Sequence, residues 1–305
     1  MARRSVLVLF VDGIGWGVDQ SDTNPFARAE LPHMCRLLGR RPVAGTGRPT
    51  LPALALDATM GVAGLPQSGT GQAALITGRN VAAAVGAHSG PFAGSDVQAV
   101  MALHSLWQDA RRHGAPSALA TAYPERLIER VTGGAGRLSA IARAAVQAGV
   151  PLRGPAESAA GRAIPPYFSP PRGSTGRRPI VADPYEAGRK LAADARTYAL
   201  CVYEHFATDA AGHRGDMDDA VDVLQRLDAF IGGILSAWPA DSALVLMSDH
   251  GNLEDATTTQ HTLAPALGAW RGPDAGGSPP ASVTEIAPAI RRFLDWTPIG
   301  PRDEA

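Results

Sequence analysis

The chain has 305 residues, 45% of them hydrophobic and 19% charged, with a formal net charge of −1. That length allows two average domains or one large α/β domain, and an ordinary hydrophobic fraction with almost no net charge argues against intrinsic disorder. The near-neutral total hides a split: residues 1–123 carry +3, residues 124–190 carry +6 and residues 191–305 carry −10. Every basic residue except Lys190 is arginine. The split suggests a surface that meets anions beside a region that concentrates carboxylates; the plainer reading is an arginine preference scattered over solvated faces.

Cys35 and Cys201 are far apart and form no Cys-x-x-Cys pair, which argues against a disulfide framework or a thiolate zinc site. The basic start Arg3-Arg4 precedes only the apolar run Ser5–Phe10 before Asp12 interrupts it. That run is too short for a secretory signal or a membrane span, so a cytoplasmic protein is expected.

In chain order, Val6–Val11 is a continuous β-rich apolar run ending in Asp12-Gly13, the pattern of a fully buried strand. Residues 25–39 suit a short helix from Pro25 to Gly39. Leu54–Val62 is weakly strand-like, and the loop Gly64–Gly71 leads into a helix over about Gln72–Thr77. Residues 99–113 are helical and 117–123 a strand, a βαβ rhythm across the turn Gly114-Ala115-Pro116. Residues 124–183 break that rhythm with arginines, the pairs Pro165-Pro166 and Pro170-Pro171, and one clear helix near 137–148. They are expected to form a small cap or lid on a core made of 1–123 and 184–305. A helix over 184–196, a strand over Ala199–Phe206 and a long amphipathic helix over 216–237 with an acidic start follow. Ala243–Met247 is a second buried strand, and a last helix covers 283–294 with Pro288 in its first turn or at a kink.

The chemistry collects where predicted strands end: Asp12 after the first, Asp209 and His213 after Ala199–Phe206, Asp249-His250 after Ala243–Met247. Ligands of open α/β sheets sit beyond the carboxyl ends of strands, so these groups can meet, and His261 lies in a loop within reach. Singly, each is an ordinary turn, capped loop or surface histidine. Jointly they suit a divalent ion with mixed carboxylate and imidazole ligands. Ser68 and Thr70 stand among glycines before a helix, where phosphate or an alkoxide is favoured. The same loop can be a plain glycine-rich turn; it lacks the Gly-Lys-Ser/Thr ending of a P-loop.

With these residues in view, the sequence resembles the alkaline phosphatase superfamily, in particular the branch with cofactor-independent phosphoglycerate mutase and phosphopentomutase. Ser68-Gly69-Thr70-Gly71-Gln72-Ala73-Ala74-Leu75-Ile76-Thr77-Gly78-Arg79 is similar to the mutase nucleophile segment. Thr208–His213 resembles the family's Asp-x-x-Gly-His segment, Ser248–Asn252 its Asp-His-Gly-Asn segment, and Gln260-His261-Thr262 its final His-Thr ligand. The resemblance implies an alkaline-phosphatase-like three-layer α/β sandwich with a mainly parallel sheet and a small cap insertion. It also implies two divalent metal ions, Mn²⁺ ahead of Zn²⁺ or Mg²⁺. One would be held by Asp209, His213 and His261, the other by Asp12, Asp249 and His250, with Ser68 as nucleophile and a further metal contact. Two departures stand out: Gln72 occupies a position where the mutases usually have His, and 124–183 is much shorter than the mutase cap.

The expected reaction is phosphoryl transfer through a phosphoserine, first as phosphomonoester hydrolysis on a small anionic metabolite, with phosphomutase or a non-catalytic metal-binding domain as alternatives. Arg79, Arg126, Arg130, Arg153, Arg162 and His88 are candidates for substrate contacts, against the plainer reading of solvated surface groups. Nucleic acid is not an expected partner, because the +6 segment has only Tyr167, Phe168 and Tyr185 as aromatics and no recognisable module. A membrane partner is not expected either.

Overall fold

The β-rich run near the start becomes strand β1 (Val6–Val11), and all six residues are buried because both faces of the strand are covered. Val6, Val8 and Phe10 enter one apolar cluster, and Leu7, Leu9 and Val11 enter another on the opposite face. Helices therefore cover the sheet on both sides, and the computed structural model, which describes residues 4–168, 181 and 183–297, is a three-layer α/β sandwich.

Five further strands complete the sheet: β2 (Ala53–Leu56), β3 (Ser117–Leu119), β4 (Leu200–His205), β5 (Ala243–Met247) and β6 (Ala266–Arg271). Their order is β2-β6-β5-β1-β4-β3. β1 pairs in parallel with β4 and β5, and β3 pairs in parallel with β4, whereas β6 runs antiparallel to both β5 and β2. The mainly parallel sheet expected from the strand–helix alternation is thus present, with an antiparallel edge. β6 has no forerunner among the predicted elements, since Ala-Leu-Gly-Ala-Trp-Arg lacks both alternation and β-branched residues.

Local rules explain where element bounds moved. The expected helix over 25–39 is two, Pro25–Arg28 and Pro32–Leu38, each started by a proline that disfavours helical backbone in the residue before it. The helix over 99–113 divides at Ser105, whose hydroxyl caps Leu106–Arg112 by accepting from the Gln108 N–H. The nucleophile-loop helix begins at Ser68, four residues earlier than expected. Pro288 falls in the first turn of Ile286–Phe293, which a short 3₁₀ turn, Val283–Glu285, precedes.

The arginine-rich stretch from 124 is uneven. Glu125–Thr132 buries no residue, while Ala140–Gln147 is buried and packs on Ser68–Thr77 and Ser95–His104. Isolated bridges Thr121–Ile164 and Ala122–Arg153 extend the β3 edge into this stretch. The Pro170-Pro171 pair lies outside the described residues. Among the described residues no helix is long and apolar enough to cross a membrane.

On the opposite face, Pro184–Ala195 lies close against the long helix Met217–Ala237. The approach is set by backbone: a Cβ on Gly233 would stand 1.9 Å from the Tyr185 carbonyl oxygen. Main chain cannot step aside as a flexible side chain does, so the helices would have to separate. Gly233→Ala is therefore expected to lower the unfolding free energy by about 2 kcal/mol or more, measured by urea denaturation.

Candidate metal and nucleophile site

Strands β4, β1 and β5 are neighbours; the carboxyl end of β4 leads into the short helix Ala207–Gly212 that carries Asp209, and those of β1 and β5 lead into loops that carry Asp12 and Asp249. Main-chain and side-chain bonds lock these loops together. Thr208 Oγ1 donates to the Asp12 carbonyl at 2.5 Å, and the Ile14 N–H donates to Ser248 Oγ at 3.0 Å. Asn252 Nδ2 donates to Asp209 Oδ1 at 2.7 Å. Beneath them, the buried Glu254 carboxylate accepts from the N–H groups of Gly15 and Asn252, each at 2.8 Å, and from the Thr262 hydroxyl. One side chain thereby ties the loop after β1, the loop after β5 and the segment carrying His261.

Two compact donor clusters result among the described residues: Asp12, Asp249 and His250, and Asp209, His250 and His261. The first has the membership the sequence implies. The second contains the expected Asp209 and His261 together with His250, and the expected His213 stands against the same pair. His213 Nδ1 lies 2.8 Å from the Thr259 carbonyl, which orients the half-exposed ring. Its Nε2 is still 3.3 Å from Asp209 Oδ2 and 3.3 Å from His261 Nε2. His261 is oriented by Pro66, whose carbonyl is 2.7 Å from Nδ1, and its ring stacks on His250 with centroids 3.7 Å apart.

Ser68 opens the ten-residue helix Ser68–Thr77, and its Oγ is 3.0 Å from His250 Nε2, the group common to both clusters. The helix comes this close because position 71 is glycine: a Cβ there would lie 2.9 Å from both the Cβ and the carbonyl oxygen of Asp249. The positive end of the helix dipole thus faces the carboxylate cluster.

Charge in this site is unbalanced. Asp12 is held well above the ordinary carboxylate range by burial, then by the negative charges of Asp249 and Asp209. Burial likewise raises Asp249. Asp209 is buried too, but hydrogen bonds from His213 and Asn252 outweigh that and hold it at about 2. The same contact with Asp209 lifts His213 to about 9. Asp12 Oδ1 and Asp249 Oδ2 are buried without a hydrogen-bond partner, each 3.6 Å from His250 Nε2. Buried carboxylate oxygens normally have partners. Orphaned oxygens, crowded carboxylates and convergent imidazoles are the donor set that divalent cations take, so the residues present fit them.

A cavity of about 350 Å³ opens beside Ser68, with Asp12, Asp209 and Gln72 also lining it. Its remaining wall includes Phe92, Tyr123, Tyr167, Phe206, Arg137 and Ser139. None of the six substrate-contact candidates lines it. Arg153 is tied down by Asp194 at 2.6 Å and the Tyr198 hydroxyl at 2.6 Å. Arg162 sits 4.0 Å from Glu157, and Arg126 and Arg130 belong to the helix with no buried residue. Arg79 follows the far end of the Ser68–Thr77 helix, and both ring nitrogens of His88 are buried without a partner. The cation at the cavity is instead Arg137, its guanidinium 5.8 Å from the Phe92 ring centroid. Behind the wall, Tyr123 and Ser139 hydroxyls both donate to Glu204, a β4 carboxyl that burial raises to about 7. A charged residue inside the buried run Leu-Cys-Val-Tyr-Glu-His was the sequence signal for this group. Arg137 had none.

Comparison with known proteins follows this geometry. A Metalloenzyme superfamily model matches residues 183–267. A 2,3-bisphosphoglycerate-independent phosphoglycerate mutase of Dinoroseobacter shibae is 31% identical over 106 residues, 32% of this chain and 21% of the relative. One from Desulforudis audaxviator is 31% identical over 111 residues, covering 33% and 22%. The aligned stretch is thus about a fifth of the length of these curated relatives. Over the whole fold, a protein of Pyrococcus horikoshii superposes with a TM-score of 0.61 at 12% identity, covering 98% of this chain and 99% of the other. Alkaline phosphatase from the Antarctic bacterium TAB5 gives 0.57 at 11% identity, covering 97% and 99%. Leishmania mexicana phosphoglycerate mutase gives 0.52 at 13%, covering 99% and 97%.

Two outcomes test this account of the site. Glu254→Gln should weaken divalent-ion binding by about 10–100-fold, because outer hydrogen bonds orient the ligand loops; titration of the metal-free protein with Mn²⁺ measures it. Glu204 binds its proton more tightly folded than unfolded, so its contribution to stability is greatest below the ordinary carboxylate pKa and falls as pH rises towards about 7. Glu204→Gln should remove roughly 3 kcal/mol of that fall between pH 4.5 and 8, measured by urea unfolding of metal-free protein.

Proposed function

We propose that the chain is a metal-dependent phosphoryl-transfer enzyme of the alkaline phosphatase superfamily, acting through Ser68, a reading supported by the family-model match and the shared fold. The observation that carries this reading is the placement of Ser68 Oγ at a helix N-terminus, 3.0 Å from the buried imidazole shared by the two donor clusters. Asp12, Asp249 and His250 would hold one divalent ion, and Asp209 and His261, with His213 beside them, the other. Bound there, such ions supply the Lewis acidity that favours the serine alkoxide and offsets charge on phosphoryl oxygens.

The chain's own groups set the geometry. Ser68 Oγ, freed of its proton, attacks phosphorus in line, and the ester P–O bond breaks as the Ser–O–P bond forms. The departing alkoxide takes a proton from solvent. The helix dipole stabilises negative charge on Ser68 Oγ and then on the phosphoserine. Gln72 Oε1 is held by the Ala140 N–H at 3.0 Å, which leaves its NH₂ for a phosphoryl oxygen. Arg137, at the cavity, draws in the dianion. Water then cleaves the phosphoserine, releasing inorganic phosphate and restoring the hydroxyl.

Net hydrolysis is favoured by the open cavity beside Ser68, which gives water access to the phosphoserine. A phosphomutase is the second reading, favoured by relatives that bear that name over the aligned third of the chain. Ser68→Ala should reduce turnover of a phosphomonoester panel by about a thousandfold or more while Mn²⁺ binding persists. Phosphate release and product isomers, followed together, separate the readings: stoichiometric phosphate supports hydrolysis, and isomerisation without free phosphate overturns it. Turnover that survives Ser68→Ala overturns both.

A further inference from the structure

The wall of the cavity beside Ser68 is mostly carbon. The rings of Phe92, Tyr123, Tyr167 and Phe206 stand around it, with Leu127 and Leu138 between them. Tyr167 and Phe206 tilt against each other with centroids 6.4 Å apart. Phe92 stays 42% exposed among the described residues although it is a large apolar side chain, and the Arg137 guanidinium lies over its ring. Rings of this kind around a cavity of about 350 Å³ match the size and character of a small organic ligand site.

The polar part of the wall is equally selective. The hydroxyls of Tyr123 and Ser139 are both hydrogen-bonded to Glu204, which turns them towards that carboxyl rather than leaving them free for a ligand in the cavity. A buried carboxyl group stands directly behind them. A carboxylate on the organic part of a substrate would meet ring faces and these engaged hydroxyls there. Among the described lining residues Arg137 is the one cation, and the transferring phosphoryl group needs it.

We propose that this cavity is the leaving-group site for an uncharged, ring-bearing alcohol, so that the substrate is a phosphomonoester of an aromatic or alicyclic alcohol rather than of a short carboxylate-bearing one. The assignment rests on the phosphoryl-transfer reading of Ser68. It places the phosphoryl group against Ser68 and the ring between Phe92, Tyr167 and Phe206. Reaction forms the Ser68 Oγ–P bond and breaks the P–O bond to the ring-bearing alkoxide, which is protonated by solvent and leaves as the neutral alcohol.

The test has a binding arm and a kinetic arm on Mn²⁺-loaded protein. By calorimetry, benzylphosphonate should bind about tenfold or more tightly than methylphosphonate, the ratio expected from burying one ring. Phe92→Ala and Tyr167→Ala should each shrink that ratio. In turnover, benzyl phosphate should exceed both glycerol 1-phosphate and 3-phosphoglycerate in kcat/KM, a comparison among alkyl esters of similar intrinsic reactivity. Equal affinity for the two phosphonates, or a higher kcat/KM for 3-phosphoglycerate, overturns the leaving-group assignment and leaves phosphoryl transfer standing. Failure to turn over any of the three esters overturns phosphoryl transfer itself, and the assignment with it.

Discussion

Three carboxylates crowded beyond the ends of adjacent parallel strands, two of them buried, are the constraint from which the rest of this structure follows. Asp12, Asp209 and Asp249 leave β1, β4 and β5 at the same edge, and their mutual repulsion adds to the cost of burial for Asp12. In a low-dielectric interior that arrangement is unfavourable unless positive charge compensates it. Asp209 has found a partial answer in His213 and Asn252, whereas Asp12 and Asp249 keep oxygens without partners. The site is therefore incomplete as a purely protein object, and its chemistry points outward to divalent cations.

The surrounding structure reads as a set of clamps that hold the loops against this repulsion. Glu254 joins the loop after β1, the loop after β5 and Thr262, so that one carboxylate orders the supports of Asp12, His250 and His261. Ser248 and Thr208 bridge neighbouring loops in the same way. Glycine at position 71 lets the helix that carries Ser68 come within contact of Asp249. Rigid strands supply position and these small or polar residues supply approach, which is how a site can be both strained by charge and well ordered.

The charge split along the chain also takes on a spatial meaning. The acidic segment 191–305 holds Asp209, Asp249 and the three clustered histidines. The arginines of the basic segment mostly have other employment: Arg153 with Asp194, Arg162 near Glu157, Arg143 on the Gly136 carbonyl. Only Arg137 lines the cavity among the described residues. A regional net charge is a sum over side chains, and it says nothing about which of them face the same space.

The candidate metal ligands and the serine stood out in the sequence because short motifs at predicted strand ends report local chemistry, and the fold brings them to one edge of the sheet. β1 and β5 were legible too, since a strand buried on both faces is apolar throughout; β4 was legible from its apolar start despite Glu204 and His205, and Met217–Ala237 from its one apolar face. β6 was not, for its six residues carry no periodicity and owe their extended form to pairing with β5 and β2. Nor could linear order show that His250 would stand in both donor clusters, or that the Thr259 carbonyl would orient His213. Arg137, Tyr123 and Ser139 share the cavity with Ser68, and Glu204 stands on Tyr123 and Ser139, in a fold where Ala140–Gln147 packs on the helix Ser68–Thr77. Sequence by itself determined which side chains have the donor and hydroxyl chemistry of the candidate site, because those properties belong to individual residues. Tertiary structure alone decided which cations, rings and hydroxyls share the cavity, because that depends on contacts between segments far apart in the chain.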